Sequence, residues 1–212
     1  MATSLNNTGH DMKIIVIGAS GILGQAVVTH LHALGHDVIT ASRSSGMEQV
    51  DIRDDASVRA LFVRTGKVDA IVSTAGVVSF EPLRSMTSTQ FMLGLQDKFL
   101  GQVRLALIGQ DFVHEGGSIT LTTGITGHEP IAAGANATAV NVGIEGFVQA
   151  AALELPNRIR INAVSPNVLT EALPDFAPYF PGFGSVSGAE AARAYQRSIE
   201  GIQTGRVFKV GY

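Results

Sequence analysis

The chain has 212 residues with a formal net charge of -3; 45% of the residues are hydrophobic, 16% are charged and 24 are glycines. This length and composition predict one domain with a sizeable core and exclude a largely disordered chain. The basic residues are scattered, which argues against a nucleic-acid partner or an anionic membrane surface. The chain contains no cysteine, so a disulfide framework and a thiol nucleophile are excluded.

The N-terminus is polar and carries neither the apolar core of a signal peptide nor the arginines of a transit peptide. We expect residues 1–11 to be a loose, disordered extension and residues 12–212 to form the folded domain. No apolar run reaches the roughly 18 to 20 residues that cross a bilayer. Together with the lack of cysteine, this predicts a soluble, cytoplasmic protein with no membrane and no nucleic-acid partner.

Short apolar runs alternate with longer segments of helical period, a pattern typical of repeated βα units around a parallel sheet. Strands are predicted at residues 13–18, 37–41, 49–51, 68–73, 118–123, 159–164 and 206–210. Helices are predicted at residues 21–35, 55–65, 87–110, 135–155 and 188–201. The Pro-, Gly- and Phe-rich segment 171–187 has no clear period and is predicted to be a loop that covers any site.

The first predicted strand runs into the sequence GASGILG, in which Gly18, Gly21 and Gly24 are spaced three apart. Gly18 permits a tight turn, Gly21 lets the backbone approach a pyrophosphate, and Gly24 lets helix and strand pack closely. The N–H groups that open the next helix, with the Ser20 hydroxyl, are suited to hold phosphates. The spacing differs from G-x-G-x-x-G, but the position between the first strand and first helix favours a dinucleotide site.

The second predicted strand ends in TASRSS, which puts Ser42 and Arg43 where an NAD-binding site carries an acidic residue. An arginine at this point pairs with the 2′-phosphate of NADP through charge-assisted hydrogen bonds. The alternative is an ordinary surface arginine. Because no acidic residue competes at the strand end, the sequence favours NADP(H) as the cofactor.

Four stretches in order, GASGILG, VDIRD, STAG and RINAVSPNVLTE, make the chain resemble the short-chain dehydrogenase/reductase superfamily over residues 13–212. The resemblance implies a seven-stranded, doubly wound parallel sheet of Rossmann type, of order 3-2-1-4-5-6-7, in a three-layer αβα domain. Taken with the glycine-rich turn and the end of the second strand, it implies that the cofactor is bound by Gly18, Ser20, Gly21, Ile22, Leu23, Gly24, Ser42, Arg43, Ser44, Asp51, Ile52, Ser73, Thr74, Ala75, Gly76, Thr122, Pro166 and Val168.

The family resemblance also implies a catalytic Ser, Tyr and Lys with an Asn, and here the sequence departs from the family. Alignment on GGSITLTTGITG puts Gly124 at the serine position, Ala137 at the tyrosine position and Asn141 at the lysine position. Alanine has no proton to give, and an amide does not transfer protons near neutrality. The three tyrosines of the chain all lie outside this helix: Tyr179, Tyr195 and Tyr212. The resemblance is therefore to an atypical subgroup.

A lysine occurs at another family position. The stretch QDKFLGQ puts Lys98 where the family carries its structural asparagine, so that lysine and asparagine are exchanged between Lys98 and Asn141. In the family these positions lie close together, and burial there would lower the pKa of the lysine towards a useful value. The alternative is a lysine on a solvated helix face beside Asp97.

Two further candidate catalytic residues precede the fourth predicted helix. Thr123 is suited to hydrogen-bond a carbonyl oxygen, and His128 to relay protons. The alternatives are a threonine that merely favours a strand and a solvated loop pair of His128 with Glu129. No metal is expected, because His32 and His36, four residues apart, have no apparent third ligand.

Two functions remain open at this point. The first is an NADP(H)-dependent oxidoreductase that reduces a small carbonyl or activated substrate, with its proton from Lys98, His128, water or the substrate itself. The second is a catalytically inactive NADP(H)-binding sensor or partner protein. The polar residues Lys98, Thr123 and Asn141 lie around the usual catalytic positions, which are not simply filled by bulky apolar side chains. This favours the enzyme. The apolar segment 146–156 resembles the dimer-forming helix of the family and predicts a homodimer or homotetramer.

Overall fold

The computed structural model describes residues 11–212. Most of the predicted N-terminal extension, residues 1–10, therefore lies outside the described residues. The elements are, in order, β1 (Lys13–Ile17), α1 (Ile22–Ala33), β2 (Asp37–Ser42), β3 (Glu48–Gln49), α2 (Asp55–Thr65), β4 (Val68–Ser73), α3 (Ser88–Gly94), α4 (Leu100–Gly109), β5 (Val113–Thr122), α5 (Ala135–Ala151), β6 (Arg160–Pro166), α6 (Leu173–Phe176), α7 (Gly188–Glu200) and β7 (Val207–Val210).

The strands form a parallel seven-stranded sheet of order β3-β2-β1-β4-β5-β6-β7. This confirms the predicted Rossmann-type fold. The central strands are apolar on both faces, and residues 14–17 of β1 are almost completely buried, as expected for a sheet with helices on either side. One hydrophobic core lies between the sheet and α2, α4 and α5, and the other lies between the sheet and α1 and α7.

The sheet order reverses between β1 and β4, and this reversal positions the site. From β1 the chain proceeds to β2 on one side, whereas from β4 it proceeds to β5 on the other side. The loops after β1 and β4 therefore diverge and leave a crevice at the carboxyl edge of the sheet. Thr74 joins the two strand ends, since its backbone N–H donates to Ile17 O at 2.8 Å and its hydroxyl donates to Gly18 O at 3.1 Å.

The predicted helix 87–110 differs from the observed structure in its middle. A capping box between Thr87 and Gln90 starts α3, but a π-helical turn at Leu95–Phe99 separates α3 from α4. A π turn inserts an extra residue into the helical ladder, and such turns occur frequently at functional sites. No sequence period signals it, which is why a single uninterrupted helix was predicted.

Three other predicted elements differ from the structure. Strand β5 begins at Val113, before the predicted start at 118, and Val113 pairs with Val68 ahead of a register shift in the ladder. Helix α5 ends at Ala151, before the predicted end at 155, because Pro156 has no backbone N–H to donate to Ala152 O. The segment 171–187 is not an unstructured loop: it contains α6 between short 3₁₀ turns at Thr170–Ala172 and Ala177–Tyr179. Within residues 11–212, no helix is both long enough and apolar enough to cross a membrane.

Candidate active site

The three glycines of the first turn have different steric surroundings. Gly18 has a φ of +88°, and a Cβ there would lie 2.6 Å from the backbone N of Ala75. A Cβ on Gly24 would lie 2.1 Å from Gly18 O. Gly21, in contrast, has no atom closer than 3.5 Å to such a Cβ. Gly18 and Gly24 thus permit close backbone packing, and Gly21 leaves space on the open side of the turn.

The N-terminus of α1 has backbone N–H groups that no side chain caps. Gly21 is the N-cap residue of this helix. The first N–H groups of a helix have no partner within the helix and carry partial positive charge. They are therefore available to an anion placed against this turn.

A first cleft of about 260 Å³ extends from this turn across the ends of β1, β2 and β4. It is lined by many of the residues predicted to bind a cofactor: Gly18, Ser20, Gly21, Ser42, Arg43, Asp51, Ile52, Thr74, Ala75 and Gly76. Sequence reasoning missed four lining residues: Ile17, Val50, Val77 and Asp97. Other predicted residues do not line this cleft: Ile22, Leu23, Gly24, Ser44, Ser73 and Thr122.

Arg43 is the cation that the structure leaves available in this cleft. Its side chain is exposed, and within residues 11–212 it has no hydrogen-bond or ion-pair partner. The neighbouring Arg64 donates to Glu48 at 2.8 Å, and Arg53 donates to Asp51 at 2.6 Å. The hydrogen bonds from Arg53 hold the pKa of the Asp51 carboxyl at about 2, so Asp51 is ionised but already paired.

Thr122 and Ser73 were predicted to contact the cofactor, and the structure puts both in the core beneath the site. The Thr122 hydroxyl donates to Ser73 O at 2.6 Å and lies 2.6 Å from the hydroxyl of Tyr195. Both residues are buried, and neither lines a cleft. Successive strand residues point to opposite faces, so that Thr123, next along the chain, reaches the site while Thr122 does not.

A second cavity of about 420 Å³ adjoins the first and shares Gly76 and Val77 with it. The predicted residues Pro166 and Val168 line it, as do three of the four predicted catalytic residues: Lys98, Thr123 and Asn141. Its remaining walls were not predicted as site residues: Val78, Phe80, Gly124, Ile125, Thr126, Ala137, Asn167, Leu169, Ala172, Phe176 and Phe180.

Lys98 points into this second cavity from the π-helical turn. Its Nζ donates to Asn141 Oδ1 at 2.8 Å and to Thr123 O at 3.2 Å. The alternative of a lysine on a solvated helix face is therefore wrong. Burial lowers the pKa of the Lys98 ammonium to about 8. The side chain of Asp97 turns the other way and accepts a hydrogen bond from the backbone N of Val77 at 2.8 Å.

His128 does not line either cavity, and it contacts the site through Glu145. His128 Nε2 lies 3.0 Å from Glu145 Oε2, and the Thr123 hydroxyl donates to Glu145 Oε1 at 3.1 Å. Glu145 is only 7% exposed and was not predicted. It occurs one helical turn after Asn141, on the same face of α5, which is the only signal in the sequence that could have revealed it.

The segment 171–187 covers the second cavity with aromatic side chains, as predicted for a covering segment. Of its aromatic residues, Phe176 and Phe180 line the cavity. Phe80, from the loop after β4, packs against Phe176 with ring centroids 5.7 Å apart and against Tyr179 at 5.1 Å. Aromatic groups from two separate parts of the chain therefore form one wall of the cavity.

These two compartments fit a nicotinamide dinucleotide. The first offers an uncapped helix start, the space at Gly21 and an unpaired arginine, which suit phosphate groups. The second offers apolar walls and one ammonium group, which suit a nicotinamide ring and a reacting carbonyl compound. Over residues 11–212 there is no cluster of side chains with metal-ligating groups.

Comparisons with known proteins agree with this architecture. A family model described as enoyl-(acyl carrier protein) reductase matches residues 18–202. The solved structure of the protein lin1944 from Listeria innocua is 44% identical, with a TM-score of 0.91, over 93% of this chain and 98% of that one. The crystal structure of a small-chain dehydrogenase in complex with NADPH is 29% identical, with a TM-score of 0.84, over 95% of this chain and 97% of that one.

Similarity to curated proteins is lower. The bifunctional ribulose 5-phosphate reductase/CDP-ribitol pyrophosphorylase Bcs1 of Haemophilus influenzae is 26% identical over 168 residues, or 74% of this chain. The match spans 34% of the length of that protein and 52% of the length of the short chain dehydrogenase claC of Passalora fulva.

Proposed function

The chain belongs to the short-chain dehydrogenase/reductase superfamily, and from that premise we propose that it is an NADPH-dependent reductase of a small carbonyl or similarly electron-poor compound. The observation that carries the proposal is the Lys98 ammonium, which lines a largely apolar cavity that adjoins the first cleft. This arrangement brings a proton donor to the compartment next to the dinucleotide.

The residues that would hold NADPH lie along the first cleft and its junction with the second. The uncapped start of α1 and Ser20 would bind the pyrophosphate, and Arg43 would bind the 2′-phosphate. Pro166 and Val168 would contact the nicotinamide end. The bound cofactor supplies the hydride. The NADPH complex of the structurally similar dehydrogenase supports this choice of cofactor.

Lys98 would supply the proton that the reduced substrate oxygen needs. An ammonium has three donors, and two of them are held by Asn141 and Thr123 O, so one remains for the substrate. Burial weakens the hold of the amine on its proton, which suits a general acid at neutral pH. Asn141 fixes the ammonium and is itself fixed, because its Nδ2 donates to Thr126 Oγ1 at 2.8 Å.

A non-catalytic NADP(H)-binding sensor is the second candidate. The observation in its favour is Ala137, which lines the cavity at the position where the family carries its tyrosine. An alanine gives no proton, and no tyrosine within residues 11–212 lines the second cavity. In this case the cavity would bind a ligand without turnover.

Titration of NADPH by fluorescence, followed by stopped-flow oxidation with aldehydes, ketones, quinones and activated alkenes, distinguishes the two candidates. An enzyme binds NADPH and oxidises it with at least one compound, and Lys98→Met lowers that turnover by about 10² to 10⁴ while the Kd for NADPH changes by less than about twofold. The matched control Lys67→Met, on the exposed surface, leaves both quantities unchanged. Binding without turnover favours the sensor, and failure to bind either nicotinamide nucleotide rejects both candidates.

We further propose that the protein is a homo-oligomer formed through α4 and α5. A shallow, mostly apolar groove runs between these helices and includes Leu107 and Phe147. Leu107 is 57% exposed and continues the apolar groove, and a contiguous apolar patch of this kind is typical of an interface between copies. Light scattering of the wild-type chain should give a dimer or tetramer, and Leu107→Asp should give a monomer.

A further inference from the structure

The polar groups of the second cavity are almost all engaged within the protein. Both functional atoms of the Asn141 amide are used, because Oδ1 accepts from Lys98 and Nδ2 donates to Thr126 Oγ1. The Thr123 hydroxyl donates to Glu145 at 3.1 Å. The donors of these two side chains are therefore committed within the protein, because the second N–H of Asn141 also lies near Gly124 O at 3.4 Å, and only acceptor lone pairs remain for a ligand.

Asn167, on the opposite wall, is engaged in the same way. Its Oδ1 accepts from the backbone N of Val168 at 2.7 Å, and its Nδ2 donates to Gly211 O at 3.0 Å. Asn167 is 5% exposed. The amide therefore braces the turn after β6 and offers little to a molecule in the cavity.

Lys98 is the exception. It is the only charged side chain that lines the second cavity in the described part of the chain. Two of its three N–H donors have protein acceptors, and the third does not. The cavity therefore presents one charged donor for an oxygen acceptor. The Thr126 hydroxyl, which accepts from Asn141 Nδ2 at 2.8 Å, adds a weaker neutral donor.

The remaining surface of the cavity is apolar. Aromatic rings come from Phe80, Phe176 and Phe180, and aliphatic groups come from Ile125 and Leu169. Ala137 contributes only a methyl group where the family has a large phenol, so the floor beside Lys98 is open. Such a surface binds rings and short aliphatic groups, and it offers too few partners for a ligand that carries several hydroxyls.

We infer that this cavity selects a compact apolar molecule, aromatic or alicyclic, that carries a single oxygen acceptor aligned with Lys98, and that it rejects polyhydroxylated compounds. The inference rests on the proposed function for the reaction of the bound molecule. The binding preference itself depends only on the residues of the cavity.

Calorimetric binding with benzoate and with D-xylose tests the inference, using protein saturated with NADP⁺. Benzoate has an apolar ring and one charged acceptor group, whereas D-xylose has several hydroxyls that would lose hydrogen bonds with water. Each unpaired hydroxyl is expected to cost about tenfold in affinity, so D-xylose should bind at least about a hundredfold more weakly than benzoate.

Lys98→Met provides the second arm. It should weaken benzoate binding by at least about tenfold, since a charge-assisted hydrogen bond is lost, while benzaldehyde, a neutral analogue, should be affected less. Lys67→Met is the matched control and should bind benzoate as the wild type does. The inference is overturned if D-xylose binds as well as benzoate, if neither binds, or if Lys98→Met leaves the affinity for benzoate unchanged.

The same samples separate this inference from the proposed function. Titration of each protein sample with NADPH reports whether the first cleft binds the cofactor. If the protein does not bind NADPH, the benzoate experiment is repeated without nucleotide. Selective benzoate binding in protein that does not bind NADPH would reject the reductase and retain the ligand class. NADPH binding with no preference for benzoate over D-xylose would reject the inferred ligand class and leave the proposed reductase standing.

Discussion

Lys98 and Asn141 are joined by a hydrogen bond of 2.8 Å from the ammonium to the amide oxygen. The ammonium comes from the π-helical turn before α4, and the amide comes from α5, which is the reverse of the arrangement that the family resemblance implies. The exchange keeps both groups at the inner end of the site, but it changes which helix carries the charge.

The reduction rate should depend on the protonation of Lys98. Burial lowers the pKa of this amine to about 8, and only the ammonium form can give a proton. The value of kcat/KM should therefore be constant at neutral pH and fall by about tenfold per pH unit above about pH 8. Lys98→Met should remove this descending limb from any residual activity, and a limb that persists would assign it to another group.

Arg43 should determine the preference for the phosphorylated cofactor. Its guanidinium is exposed beside the first cleft and has no partner among residues 11–212, so removal costs the protein no internal contact. Arg43→Gln should weaken NADPH binding by about tenfold to a hundredfold and leave NADH binding within about twofold, as measured by fluorescence titration.

The matched control for Arg43 is Arg158→Gln. Arg158 is a surface arginine that pairs with Glu115 at 2.6 Å, outside both cavities. This substitution should not alter the affinity for either nucleotide. Equal losses of NADPH and NADH affinity in Arg43→Gln would contradict a 2′-phosphate contact.

Alanine at Gly24 and at Gly21 should have different effects. At Gly24 the new Cβ would lie 2.1 Å from Gly18 O and should lower the free energy of unfolding by about 1–3 kcal/mol, as overpacking does. This reverses the usual gain of about 1 kcal/mol for Gly→Ala within a helix. Thermal or urea unfolding would measure it.

At Gly21 the new Cβ would meet no atom closer than 3.5 Å. Gly21→Ala should change the free energy of unfolding by less than about 0.5 kcal/mol. It should still weaken NADPH binding by about tenfold, because the methyl group occupies space that the pyrophosphate needs. Similar unfolding curves but unequal NADPH affinities are therefore expected for Gly21→Ala and the wild type.

His128 should affect turnover less than Lys98 does. It reaches the cavity only through Glu145 and the Thr123 hydroxyl, whereas Lys98 lines the cavity directly. His128→Gln should keep turnover within about tenfold of the wild type, compared with the loss of about 10² to 10⁴ expected for Lys98→Met. The exposed His114 serves as the control, and equal losses at His128 and Lys98 would show that protons pass through the histidine.

The features that sequence predicted well depend on short-range sterics. Gly18 and Gly24 lie six residues apart, and their contact follows from the turn between one strand and one helix. The apolar strands likewise follow from a repeated βα pattern, and their order was implied by the family resemblance. The first cleft was predicted because its residues lie at strand ends, which a parallel sheet gathers at one edge.

The features that sequence missed depend on the direction of individual side chains. Thr122 and Thr123 were both assigned to the site, but a difference of one residue on a strand reverses the face, and only Thr123 lines the cavity. Glu145 contacts both Thr123 and His128 only because α5 packs against the turn after β5. Asp97 and Lys98 lie in the π turn and line different cavities, and no periodicity in the sequence reveals that turn.

The π-helical turn at Leu95–Phe99 contains one residue more than a regular α-helical turn. The directions of the Asp97 and Lys98 side chains depend on that extra residue. Deleting one residue there would convert the turn to regular α-helix and rotate everything before it by about 100° relative to everything after it. The shortened helix would still satisfy its backbone hydrogen bonds, and its composition would hardly change. Asp97 and Lys98 would nevertheless be displaced from Val77 and Asn141, so a chain one residue shorter should lose the turnover proposed for Lys98.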